Sequence, residues 1–169
     1  MNTTSVKVQS LWRIAAVDAL LIAVACLVPT LSHVLALPLY YLNPMLLVLL
    51  AGMLLVRDRR NAYLLAVLLP VVSMLAVGMP TPLKAVCMVA EYASVVFVSG
   101  LLQAWNERFV GTLGAMLLAM LAGKAVYYLL KALILAPVVL VSTAVWMQLA
   151  VVVAAAVLYA VFVSLKFKV

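Results

Sequence analysis

The chain is a succession of long apolar runs separated by breaks of only a few residues. Pro137 alone divides the run Phe109–Ala136 from the run Val138–Leu165, and the charged breaks, Arg57-Asp58-Arg59-Arg60-Asn61 and Asn106-Glu107-Arg108, are short. A helix needs about 20 predominantly apolar residues to cross a hydrocarbon core of ~30 Å. The pattern therefore predicts an all-α, polytopic membrane protein. Composition points the same way: 70% of residues are apolar and 9% charged, against roughly 45–50% and about 25% in soluble domains. So few charges leave a water-facing surface uncovered. With 169 residues there is room for at most about six or seven spans and no attached soluble catalytic domain.

The runs divide into six expected spans within one transmembrane domain over residues 1–169: 11–29, 34–56, 62–78, 83–105, 109–136 and 138–165. The second is the least regular. Its clean part, Met45–Val56, is too short to cross alone at about 1.5 Å per residue. The stretch before it, with Pro38, Tyr40, Tyr41 and Asn43-Pro44, must extend it or enter the membrane as a non-helical segment. Pro70 is an expected kink in the third span. Met79-Pro80-Thr81-Pro82 is a stiff connection between the third and fourth.

Charge sets the expected orientation. With the N-terminus in the cytoplasm, Lys7, Arg13, Arg57, Arg59, Arg60, Arg108, Lys166 and Lys168 gather on one side, and only Lys84 and Lys131 lie near the other. The positive-inside rule then puts both termini in the cytoplasm and favours an even number of spans. The net charge of +7 is explained by these helix ends, so no nucleic-acid partner is expected. Cys26 and Cys87 lie apart in apolar runs, without a CxxC partner, and read as small hydrophobes. A cleaved signal peptide is not expected: Asp18 interrupts the first run and Pro29, not a small-residue cleavage site, follows it.

An ionisable side chain within lipid is unfavourable and needs a reason. Three stand out: Asp18, Glu91 and Lys124. Glu91 shares a helix face with Lys84, two turns away; Lys124 shares one with Tyr128 and Lys131, with Tyr127 beside it. Two adjacent helices thus carry polar stripes of opposite charge in their outer halves. Either Glu91 and Lys124 form a buried pair that fixes packing, or the stripes line a ligand pocket, and the two readings are compatible. Lys84 and Lys131 also suit snorkelling at an interface. The segment Leu31–Asn43, with His33, Tyr40, Tyr41 and Asn43, is a candidate lid, although a solvated histidine and interfacial tyrosines account for it as well. Around Asp18 run Ala15, Ala19 and Ala23, a small-xxx-small stripe that lets another helix approach closely, within the chain or from a partner. Asp18 itself is expected to find Arg13 or water.

No HExxH, GxSxG, phosphate-binding loop or paired aspartates occur. One histidine and four acidic residues, two of them in loops, make a thin inventory for acid–base chemistry. Neither an enzyme, a cofactor nor a metal site is expected.

Several stretches, Pro38 to Met45 (PLYYLNPM), Pro70 to Pro80 (PVVSMLAVGMP) and Met88-Val89-Ala90-Glu91-Tyr92, together with the alanine stripe and the Pro-rich segment before a short second helix, resemble the substrate-binding S components of energy-coupling factor (ECF) transporters, bacterial ABC-type importers of vitamins and other micronutrients. The resemblance covers most of the chain. It implies a six-helix bundle in the bacterial inner membrane that binds a small micronutrient in its outer half. Such a subunit associates with a transmembrane coupling protein and two cytoplasmic ATPases, and topples to release substrate inside. It implies a substrate site at Glu91, Lys124, Tyr128, Lys84, Tyr127 and Lys131, with Asn43, Tyr40, Tyr41 and His33 from the lid, and a coupling-protein docking surface at Ala15, Ala19 and Ala23. Asp18 departs from that docking pattern, and nothing resembles the N-terminal histidine segment of cobalt and nickel members. The lysines favour an anionic or zwitterionic substrate and the tyrosines admit a ring. Two alternatives remain at this point: an MreD-like structural scaffold, and a stand-alone secondary transporter with Glu91 as a proton site.

Overall fold

A computed structural model describes residues 3–34, 42–103, 109–135 and 145–166. Among them the chain forms six helices: α1 (Thr3–Val34), α2 (Pro44–Val56), α3 (Arg59–Val77), α4 (Pro82–Gln103), α5 (Phe109–Leu135) and α6 (Val145–Lys166). α4 packs on α3 and α5, α5 on α6, α6 on α2, α2 on α1 and α3, and α1 on α3. Helices α2 to α6 thus close into a ring, with α1 packed against α2 and α3, around a core that includes Leu46, Leu49, Leu65, Leu69, Tyr92, Met116, Met120 and Ala156. The outside is apolar as well, with Trp12, Leu20, Leu75, Phe97, Leu133 and Phe162 exposed. An apolar exterior around an apolar core fits a lipid bilayer rather than water.

Five helices, α1, α3, α4, α5 and α6, are long and apolar enough to cross a membrane. α2 is not: its 13 residues reach about 20 Å. The expected second span over 34–56 is therefore not one helix. Val34 belongs to α1, which continues through Pro29 instead of stopping there. Proline removes one backbone donor but is tolerated in membrane helices where freed carbonyls find other donors.

A second correction concerns the corner at residues 57–61, expected to be wholly loop. Only Arg57 and Asp58 lie outside helices. Asp58 caps α3, its side chain accepting from the Arg60 N–H at 2.9 Å, so Arg59, Arg60 and Asn61 form the first turn. The Arg59 guanidinium then reaches the Gly100 carbonyl near the end of α4. The bond ties the first turn of α3 to the last described turn of α4. α4 and α5 follow the expected spans closely, and the described part of α6, Val145–Lys166, matches the expected last span over its length, residues 136–144 lying outside the described residues.

These contacts fix the relative heights of the helices. The start of α3, the end of α4 and the end of α2 lie at one end of the bundle, with Arg57, Arg59 and Arg60, here termed the basic end. From there α2 runs back only partway. Asn43, which precedes it, lies beside Tyr92, whose hydroxyl donates to Asn43 Oδ1 at 3.0 Å. Tyr92 is ten residues past the start of α4, about 15 Å along its axis. α2 therefore occupies the half of the bundle nearer the basic end, and its N-terminus lies at mid-depth.

Candidate functional site

Asn43 terminates α2 in a left-handed conformation, φ 47° and ψ 63°, which Asn tolerates better than most residues. Pro44 follows at the first helical position, where its missing N–H removes nothing. The Asn43 carbonyl accepts from the N–H groups of Leu46 and Leu47 at 3.0 and 3.2 Å. Its side chain does not cap its own helix and is held instead by Tyr92. The N-terminal, positive end of α2 is thereby fixed at the level of Glu91 and Tyr92.

At that level Lys124 Nζ meets Glu91 Oε1 at 2.7 Å. Glu91 is nearly sealed, with 3% of its side chain exposed, whereas Lys124 retains 21%. The pair depends on how closely α4 and α5 approach. Gly123, the residue before Lys124, sits directly on α4: a Cβ there would stand 2.6 Å from Val95 Cγ2 and 2.9 Å from the Glu91 carbonyl oxygen. Glycine lets the two backbones come together, as small residues do in membrane helices.

Towards the end opposite the basic end, the polar groups continue. Lys124 Nζ lies 5.5 Å from the centre of the Tyr127 ring, within cation–π range. Tyr127 and Tyr128 contact edge to face, their centroids 5.4 Å apart at 81°. The Tyr128 hydroxyl donates to Gln148 Oε1 at 2.6 Å, tying α5 to α6. Polar side chains from α2, α4, α5 and α6 thus form one layer across an otherwise apolar bundle. No buried side-chain nitrogen or oxygen among the described residues lacks a partner, and no three of His, Cys, Asp and Glu among them gather to hold a metal ion.

The structure brings together Glu91, Lys124, Tyr127, Tyr128 and Asn43. It divides the expected α5 stripe: Lys124 turns to α4 and Tyr128 to α6. Lys131 is half-buried one turn further, and Lys84 is exposed in the first turn of α4. Tyr40, Tyr41 and the His33 side chain lie outside the described residues. Tyr92 and Gln148 were not singled out as site residues from the sequence. Tyr92 is hidden by its place next to Glu91, a turn of about 100° away on a helix, and Gln148 by its place within an expected span.

Asp18 belongs to another seam. It is buried and accepts from Asn61 Nδ2 at 2.9 Å, while Arg13, its expected partner, is exposed. Asn61 was assigned to a loop, which concealed it as a partner. Ala15, Ala19 and Ala23 are all exposed on the outer side of α1, so the stripe is not an internal packing seam. Comparison with protein-family models, curated proteins and solved structures returned no match.

Proposed function

We propose that this chain is the substrate-binding membrane subunit of an ECF-type importer. In this reading the basic end faces the cytoplasm, both termini lie there, and the segment before Asn43 completes a sixth pass. The single observation that supports it most is the polar layer where α2 stops: a carboxylate–ammonium pair, three tyrosines and two amide side chains at mid-depth, on the side away from the basic end. A helix that ends inside the bundle and points its positive end at polar side chains is a recurrent way to build a substrate site in membrane transporters. The exposed alanine face of α1 gives a coupling protein room to approach. Transport energy then comes from partner ATPases, and the chain itself needs no cofactor.

A thermal-shift screen of the purified protein against water-soluble vitamins and their precursors tests this. A ligand present at 100 times its Kd adds about 2.7 kcal/mol of stability. No stabilising compound, together with failure to co-purify with a coupling protein and its ATPases, overturns the proposal and leaves a structural scaffold as the better account.

A further inference from the structure

The polar layer is not electrically even-handed. Glu91 lies behind Lys124, with 3% of its side chain exposed against 21% for Lys124. A molecule that reaches the layer meets the ammonium and not the carboxylate. Beyond it, away from the basic end, α4 and α5 carry Lys84 and Lys131 and no further acid, so that half of the bundle holds three lysines against one carboxylate. The Tyr127 ring lies beside the ammonium, and Tyr128 meets that ring edge to face.

From this asymmetry we infer that the layer takes a small monoanion, a carboxylate on a flat aromatic or heteroaromatic body. The carboxylate binds Lys124 Nζ and the ring packs on the tyrosines. The inference rests on the binding-subunit reading and names the class of substrate within it. A zwitterion fits less well, because the only carboxylate available to its ammonium is sealed behind Lys124. A phosphate dianion also fits less well, because the one cation at the floor is already shared with Glu91. Coulomb attraction in such a low-dielectric place is strong, and so is the penalty for excess charge.

The test uses matched pairs of aromatic acids and their neutral amides, such as benzoate with benzamide and each pyridine carboxylate with its carboxamide. Binding is read by thermal shift and calorimetry on the full-length protein in detergent. At least one acid should bind about tenfold or more tightly than its amide, the ratio expected when one charge-assisted hydrogen bond is lost. In Glu91→Gln, Lys124 no longer has an internal competitor. Acids should then bind more tightly while amides are unchanged, which a purely structural pair does not produce. In the double variant Glu91→Gln/Lys124→Met, which leaves no buried orphan charge, the acid preference should disappear. If amines or neutral compounds stabilise the protein and acids do not, the anion assignment falls and the binding-subunit reading stands. If none of these acids or amides binds, the inference falls; the binding-subunit reading falls with it only when the vitamin screen and co-purification with a coupling protein fail as well. An acid preference unchanged in the double variant places the anion elsewhere and overturns the inference.

Discussion

Glu91 and Asp18 are both acids buried between helices, but the seams that hold them differ. Glu91 sits where Gly123 brings α5 close against α4, and its partner is a full positive charge. Asp18 sits between α1 and α3, and its partner is the neutral amide of Asn61. α1 is also the least buried of the five long helices. The first seam is close and charged; the second is neutral and belongs to a helix whose outer side is exposed. A bundle that must hold a ligand and also present one helix to a partner needs both kinds.

The contrast can be broken from its strong side first. Lys124→Met strands the sealed Glu91 carboxylate and is expected to destabilise the protein by about 3–5 kcal/mol. Glu91→Gln is expected to be milder, because Lys124 keeps a route to water. Thermal unfolding of both variants, with the double variant closing the cycle, reads this difference; equal losses contradict the burial asymmetry. Gly123→Ala comes next, at about 1–3 kcal/mol, since one of the atoms it meets is a backbone oxygen that cannot swing away. Gly114→Ala on the same helix is its control: nothing lies within 4 Å of the added carbon, so alanine's better helix propensity should leave stability unchanged or raise it by up to about 1 kcal/mol.

On the neutral side, Asn61→Ala removes the amide from Asp18 and is expected to weaken the protein by about 1–3 kcal/mol. Arg13→Ala should leave that bond intact and change thermal stability far less. Ala19→Leu is expected to have the smallest effect on the isolated protein, within about 0.5 kcal/mol. If α1 docks a coupling protein, the same variant blocks co-purification with it. Normal assembly removes the docking role from this face.

Much of the fold was legible because lipid imposes simple rules. Pro82 opens α4, and the charged Asn106-Glu107-Arg108 stretch separates it in sequence from α5, so both spans were readable from local chemistry. The Glu91–Lys124 pair was visible as two costly charges on neighbouring helices. The corner at residues 57–61 was misread because its charges outweighed the N-cap signal of Asp58, and that error hid Asn61 from Asp18. Pro29 was taken for a stop although membrane helices pass through prolines. The depth at which α2 begins was beyond sequence reading, because it is fixed by one long-range hydrogen bond, from Tyr92 to Asn43. Gly123 left only a faint signal, a small residue beside a lysine.

The central claim is that the Glu91–Lys124 layer binds a ligand rather than only joining two helices. The most direct measurement is the thermal shift produced by a stabilising compound in the folded double variant Glu91→Gln/Lys124→Met, compared with the unmodified protein. Loss of the shift in a variant that still unfolds cooperatively is the predicted result. A shift as large as that of the unmodified protein contradicts the account and leaves the pair as a packing device.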